Sequence, residues 1–336
     1  MSYSNRIFLV ISLVAIFLGC SGPAKENSDD KEKIKILIQR MEKGGAELAS
    51  QIDTIAHFYQ RLLIDKDSIW KMDHPNPYRY QGAFSVNAPG EDSTLSSIII
   101  LNTTPDRIQA EQEVILTNSL DSMFAEFMRN NPLAVQIYSN SARQVSRVFP
   151  SYDAVNMVDP DIDVTTFNFY YEADSVHNPD KGLVWISDAY VDPAGKGWIL
   201  SILHPIYDGD ELFAVLGVDY TVTKLIENYL DSEEGEFVLV NKKGDIVAGK
   251  GGAIESLSLP PLKNHVYRET VQSDNFRISD FNLFNSKSRE VREMAQSFLF
   301  QKENLFEFKN EPNLRQAICV PFSAIDWYLI EVYPNY

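Results

Sequence analysis

The longest regular pattern of apolar positions begins at Ile34 and recurs at 38, 41, 48, 52, 55, 59 and 62, a four–three stepping interrupted only where Gly45 falls on the seam. This is the signature of one long amphipathic helix over about 31–68. The 21–30 stretch before it is small and polar and reads as a tether, with Ser28 or Asp29 available as the helix cap. Beyond Pro75 and Pro77 the period changes. Tyr80–Val86 and Leu95–Leu101 read as extended segments, a helix with Thr104 as cap runs to about Arg129, and 133–139 with 144–149 form a hairpin. The Asp-rich 151–166 stretch is a loop expected to cover a binding face.

Three apolar, β-branched and aromatic runs (183–191, 198–207, 211–220) follow, separated by Asp192-Pro193-Ala194-Gly195, with the residue order of a type I turn, and by the hairpin dipeptide Asp208-Gly209. They predict an antiparallel meander. A short helix from Thr221 leads to a second strand-rich region. That region opens with a hairpin at 236–248, carries a helix over 288–300 and closes with strands at 304–309, 314–322 and 326–333. Gly244-Asp-Ile-Val-Ala-Gly249-Lys250-Gly251 is a near match to a phosphate loop. It lacks the Ser/Thr that holds magnesium and is read as spanning a hairpin.

The N-terminus carries an export pattern: Arg6, an apolar run from Ile7 to Leu18 too short to span a bilayer, then Gly19-Cys20. A small residue before a cysteine resembles a lipoprotein cleavage site, although Phe17 and Leu18 depart from the preferred residues. Residues 1–20 are therefore expected to be a lipoprotein signal peptide with Cys20 lipidated, and the mature chain to be extracytoplasmic and membrane-anchored, periplasmic or at the cell surface. Only one other cysteine exists, Cys319, in a strand-like run that makes it a buried filler. The net charge of −17 argues against nucleic acid as a partner. No His-Glu-x-x-His, no Gly-x-Ser-x-Gly and no metal-ligand spacing among the five histidines is present, so neither catalysis, metal nor cofactor is expected.

The ordered set Phe169-Tyr170 before Ala173, Tyr190-Val-Asp192 and Gly217-Val-Asp219 resembles the ligand-binding half of a double Cache sensor domain, and the resemblance extends more loosely over 30–335. It implies an α+β chain: a long N-terminal helix followed by two PAS-like modules with antiparallel sheets, a membrane-distal ligand-binding module at 69–222 and a membrane-proximal one at 223–336. It also implies a small-molecule site built from Phe169, Tyr170, Trp185, Tyr190, Asp192 and Asp219. Each has a plainer reading: the aromatics as core, Asp192 as a turn residue, Asp219 as one half of a structural ion pair. In amino-acid-binding members an Arg stands two residues before a Trp-Tyr pair; here those places hold Phe167 and Phe169. The expected ligand is thus an amine or another small cationic or polar molecule, with any signal passed to a partner protein. The alternative is a surface protein-interaction lipoprotein whose pocket is vestigial.

Overall fold

The structure is a computed structural model that describes residues 23–70, 76–87, 94–186, 188–192, 198–267, 270 and 277–335. Residues 1–20, expected to be a signal peptide, and with them Cys20, lie outside the described residues. Helix α1 runs from Pro23 to Ile64, so most of the stretch read as a tether is helical. Pro is well placed there, because the first helical residue has no partner for its N–H in any case.

The seam of α1 is divided between two cores. Ile34, Leu37, Ile38 and Met41 pack against a five-stranded sheet, and Ile52, Ile55, Ala56, Tyr59 and Leu63 against a nine-stranded one. The apolar pattern is thereby buried against the chain's own sheets. Leu63 replaces Leu62 at the far end of the stripe because a straight helix of 3.6 residues per turn drifts from a seven-residue repeat. Gly45 interrupts the seam because a Cβ there would meet the Trp185 ring at 3.1 Å.

The nine-stranded sheet contains β1 (Tyr80–Gln81), β2 (Phe84–Ser85), β3 (Ser97–Ile100), β4 (Ala134–Ser141), β5 (Val145–Phe149), β6 (Val184–Trp185), β7 (Tyr190–Val191), β8 (Trp198–Asp208) and β9 (Glu211–Thr221). Its order is β1-β2-β3-β5-β4-β9-β8-β6, with β7 also paired to β8. The five-stranded sheet contains β10 (Glu236–Asn241), β11 (Ile246–Gly249), β12 (Leu305–Glu307), β13 (Leu314–Pro321) and β14 (Trp327–Pro334), in the order β11-β10-β14-β13-β12. The run β5-β4-β9-β8-β6 and the second sheet have the same antiparallel plan: second, first, fifth, fourth, third. This duplication is invisible in the residues. The fold class is α+β, as expected.

Several local readings are corrected. Asp106, not Thr104, caps the helix Arg107–Leu116, accepting from the N–H groups of Ile108 and Gln109. That helix does not run on to Arg129; it stops at Thr117, and a separate helix Leu120–Asn130 follows. The first run of the meander is two short strands rather than one. After β11 the Gly244–Gly251 segment enters a short helix, Gly251–Ser256, rather than ending in a hairpin. Cys319 is buried in β13, which pushes its thiol up to about 12.

Arg147 on β5 is 2% exposed and was not anticipated. Its guanidinium donates to Asp121 at 2.5 Å, to the Val114 carbonyl at 3.0 Å and to Thr117 and Asn118 at 3.2 Å, tying both helices to the sheet. Neighbouring residues of a strand face opposite sides, so Ser146 and Val148 are left for the other face.

Candidate functional site

That other face carries the site. In the antiparallel register Gln136 of β4 sits opposite Asp219 of β9, and Asp219 sits opposite Ser201 of β8, giving one polar row across three apolar strands. One step along, Tyr138 sits opposite Gly217. A Cβ on Gly217 would stand 2.2 Å from the Tyr138 ring, so only glycine lets that ring lie flat across the strand. Tyr190 on β7 and Asp192 just after it close one side. Phe169, on the short helix Asn168–Tyr171, closes another. Its ring stacks on Phe167 at 5.1 Å and on Tyr190 at 6.5 Å, and meets Tyr138 edge-on at 6.1 Å.

The Asp-rich 151–166 loop contributes Tyr152, Val158, Ile162 and Val164 to the walls. Gln144 fixes this cover by donating to Asp163 at 2.7 Å and accepting from the Val164 N–H at 3.0 Å. Ser97 accepts from the Tyr152 N–H at 2.9 Å at the other end. The cavity is small, about 60 Å³.

Asp219 is 1% exposed and Asp192 4%. The plainer reading of Asp219 as one half of a structural ion pair is not met: its hydrogen-bond partners among the described residues are neutral. Ser201 Oγ donates to Oδ1 at 2.5 Å and Gln136 Nε2 to Oδ2 at 2.6 Å. Because Ser201 spends its proton there, the Tyr190 hydroxyl, 2.5 Å from Ser201 Oγ, is the donor in that contact. The same Gln136 amide also reaches Asp192 at 3.2 Å. Burial, and then the charge of Asp192, raise the Asp219 carboxyl from 3.8 to about 7. Burial and the Asp219 charge likewise push the Tyr190 and Tyr138 phenols up, so both stay protonated. Gln136 Oε1, turned away from the two carboxylates, accepts no hydrogen bond from the described residues.

Four of the six anticipated residues, Phe169, Tyr190, Asp192 and Asp219, therefore converge on one cavity. Two do not. Tyr170 is buried in the apolar cluster beneath Phe169 and is not part of the cavity wall. Trp185 pairs with Ile202, whose side chain faces α1, and it lines a different pocket. Gln136, Tyr138 and Ser201 were missed. The alternation Gln136-x-Tyr138-x-Asn140 along β4 was the available signal. Among the described residues lining the cavity none is basic, and among the described residues no cluster of three His, Cys, Asp or Glu could hold a metal ion.

The sequence matches no protein-family profile and no curated protein. Solved structures match over nearly the whole chain. The ligand-binding domain of the Campylobacter jejuni chemoreceptor Tlp3 with L-norvaline has a TM-score of 0.52 at 13% identity, covering 93% of this chain and 91% of that one. The sensory domain of the same receptor with isoleucine gives 0.52 at 14%, covering 93% and 94%. The fold is that of a double Cache-type sensor domain. At such identities the likeness is one of fold. The double Cache architecture accounts for the shared strand order of the two sheets and for one helix running along both. The acidic cavity of this double Cache fold lies in the first, larger sheet.

Proposed function

We propose that the chain is an extracytoplasmic, sensor-type ligand-binding lipoprotein whose first module, 69–222, holds a small amine or another small cationic or polar molecule, with 223–336 as its supporting module. The observation that carries this reading is the pair of buried acids, Asp192 and Asp219, around an unused acceptor, Gln136 Oε1, in a cavity without a basic wall among the described residues. An ammonium group supplies a donor for the Gln136 amide oxygen, a positive charge beside Asp219, and a cation for the faces of Phe169, Tyr138 and Tyr190. The structural neighbours with norvaline or isoleucine bound support small-molecule binding in general. An α-carboxylate, however, would find no basic partner among the described residues of the wall, and Phe167 stands at the place where amino-acid-binding members carry an Arg. The cavity of about 60 Å³ favours a ligand of a few heavy atoms. The mechanism is capture and release, with no chemical step.

Two experiments test this reading. A thermal-shift panel of small amines, neutral polar molecules and matched α-amino acids should stabilise the protein with amines first; no shift with any of them would favour the protein-interaction alternative. Replacing Cys20 with Ala should leave the chain unprocessed by lipoprotein maturation. Recovery of a processed Cys20→Ala chain in membranes would refute the lipid anchor.

A further inference from the structure

A second pocket lies on the opposite side of the nine-stranded sheet, where that sheet, α1 and the five-stranded sheet meet. Its volume is about 170 Å³, nearly three times that of the acidic cavity. It exists because α1 carries small residues at this level: Gly45, Ala46 and Ala49 leave space that a regular heptad seam would fill. Trp185 and Tyr220 form the sheet wall, and Ile325 and Trp327 the wall from the five-stranded sheet.

Its chemistry is the reverse of the acidic cavity. The one lining carboxylate that could dominate it, Glu42, is already engaged, accepting from the Ser323 and Ala324 N–H groups and from the Ser323 hydroxyl. The walls are otherwise mainly apolar, with Ser201 and Tyr229 also bordering the space, and one polar group stands out. Tyr220 is 5% exposed, and its hydroxyl is buried with no hydrogen-bond partner among the described residues. A buried unpaired hydroxyl is costly, and lining atoms that face empty space forfeit dispersion. Both deficits are removed by one kind of guest. An engineered apolar cavity of about 150 Å³ takes up benzene, so this space suits a single ring or an equally compact branched chain.

We propose that this pocket is a second ligand site, taking a compact apolar molecule with one hydrogen-bonding oxygen, such as a monocyclic phenol or a short branched alcohol, with that oxygen on the Tyr220 hydroxyl. The ligand class differs from that of the acidic cavity; Ser201 borders this pocket too, but its hydroxyl is engaged with Asp219 and Tyr190 and takes no part in the contact proposed.

The test uses the full chain, calorimetric titration and two probes of equal shape, phenol and toluene. Wild type should bind both, phenol about threefold to tenfold more tightly, the range one net hydrogen bond confers. Tyr220→Phe should retain toluene and lose the preference for phenol. Ala49→Leu, which fills the space from α1, should weaken both at least about tenfold, the range expected when a well-packed space is overfilled. Ile325→Phe, from the facing wall, gives the same readout where Ala49→Leu fails to fold. Absence of binding to wild type, a phenol preference that survives Tyr220→Phe, or filled variants that bind like wild type would overturn the proposal.

Discussion

Replacing Asp219 with Asn removes a charge and almost no volume from the centre of the Gln136–Asp219–Ser201 row. The Asn amide can still accept from Gln136, and its NH₂ can donate to Ser201, which then donates to Tyr190. Burial and Asp192 hold the Asp219 carboxyl at about 7 in the folded protein against 3.8 unperturbed. The folded state therefore keeps the proton more tightly. The resulting stability is complete below about pH 4 and is lost as pH rises through about 7. At about 1.36 kcal/mol per pKa unit, the whole effect is on the order of 4 kcal/mol, of which about 2–3 kcal/mol falls between pH 5 and pH 8. Glu113, raised to about 7 by burial, titrates over the same window but is common to both proteins and cancels in their difference. Urea denaturation of wild type and Asp219→Asn at pH 5 and pH 8, at matched ionic strength, reads this directly. The variant should gain about 2–3 kcal/mol on wild type between the two pH values. A stability difference that is independent of pH, or that moves the other way, would refute the reasoning that Asp219 is a buried acid stabilised by its proton.

Two further outcomes follow from the packing of the same sheet. Gly217→Ala places a Cβ 2.2 Å from the Tyr138 ring; it should cost about 1–3 kcal/mol in urea denaturation and weaken ligand binding by driving Tyr138 into the cavity. Arg147→Gln, on the opposite face, breaks the buried pair with Asp121. It should cost about 3–5 kcal/mol, and a loss below about 1 kcal/mol would show that Asn118, Thr117 and the Val114 carbonyl do not depend on the charge.

Much of the architecture was legible because it rests on periodicity. The α1 seam, the meander and the last two strands of the second sheet each declare themselves over eight or more residues. The cap at Asp106 was misplaced by two positions because Thr104-Pro105 carries an equally good local signal; the choice is made by the Arg107 side chain, which reaches the Ile100 carbonyl and the Tyr80 ring. In the site, Asp219 stood out because a charge in Ala-Val-Leu-Gly-Val-Asp-Tyr demands an account. Its actual partners did not stand out, since Gln136 and Ser201 are ordinary strand residues until the register sets them on either side of it. Trp185 was assigned to the wrong pocket for a related reason. In a two-residue strand no alternation exists to say which face a side chain takes, and only its pairing with Ile202 decides.

The central claim is that Asp219, with Asp192 and Gln136, holds a cation. Calorimetric titration of wild type and Asp219→Asn at pH 8 with a small primary amine, and with the α-amino acid that adds a carboxylate to it, tests this most directly. The account predicts that the amine binds wild type more tightly than the amino acid does, with affinity falling as pH drops below about 7. It also predicts that Asp219→Asn loses about 2–5 kcal/mol of amine binding, the cost of deleting one partner of a buried charged hydrogen bond. Tight binding of the amino acid that depends on its carboxylate, or an amine affinity unchanged in Asp219→Asn, would contradict it.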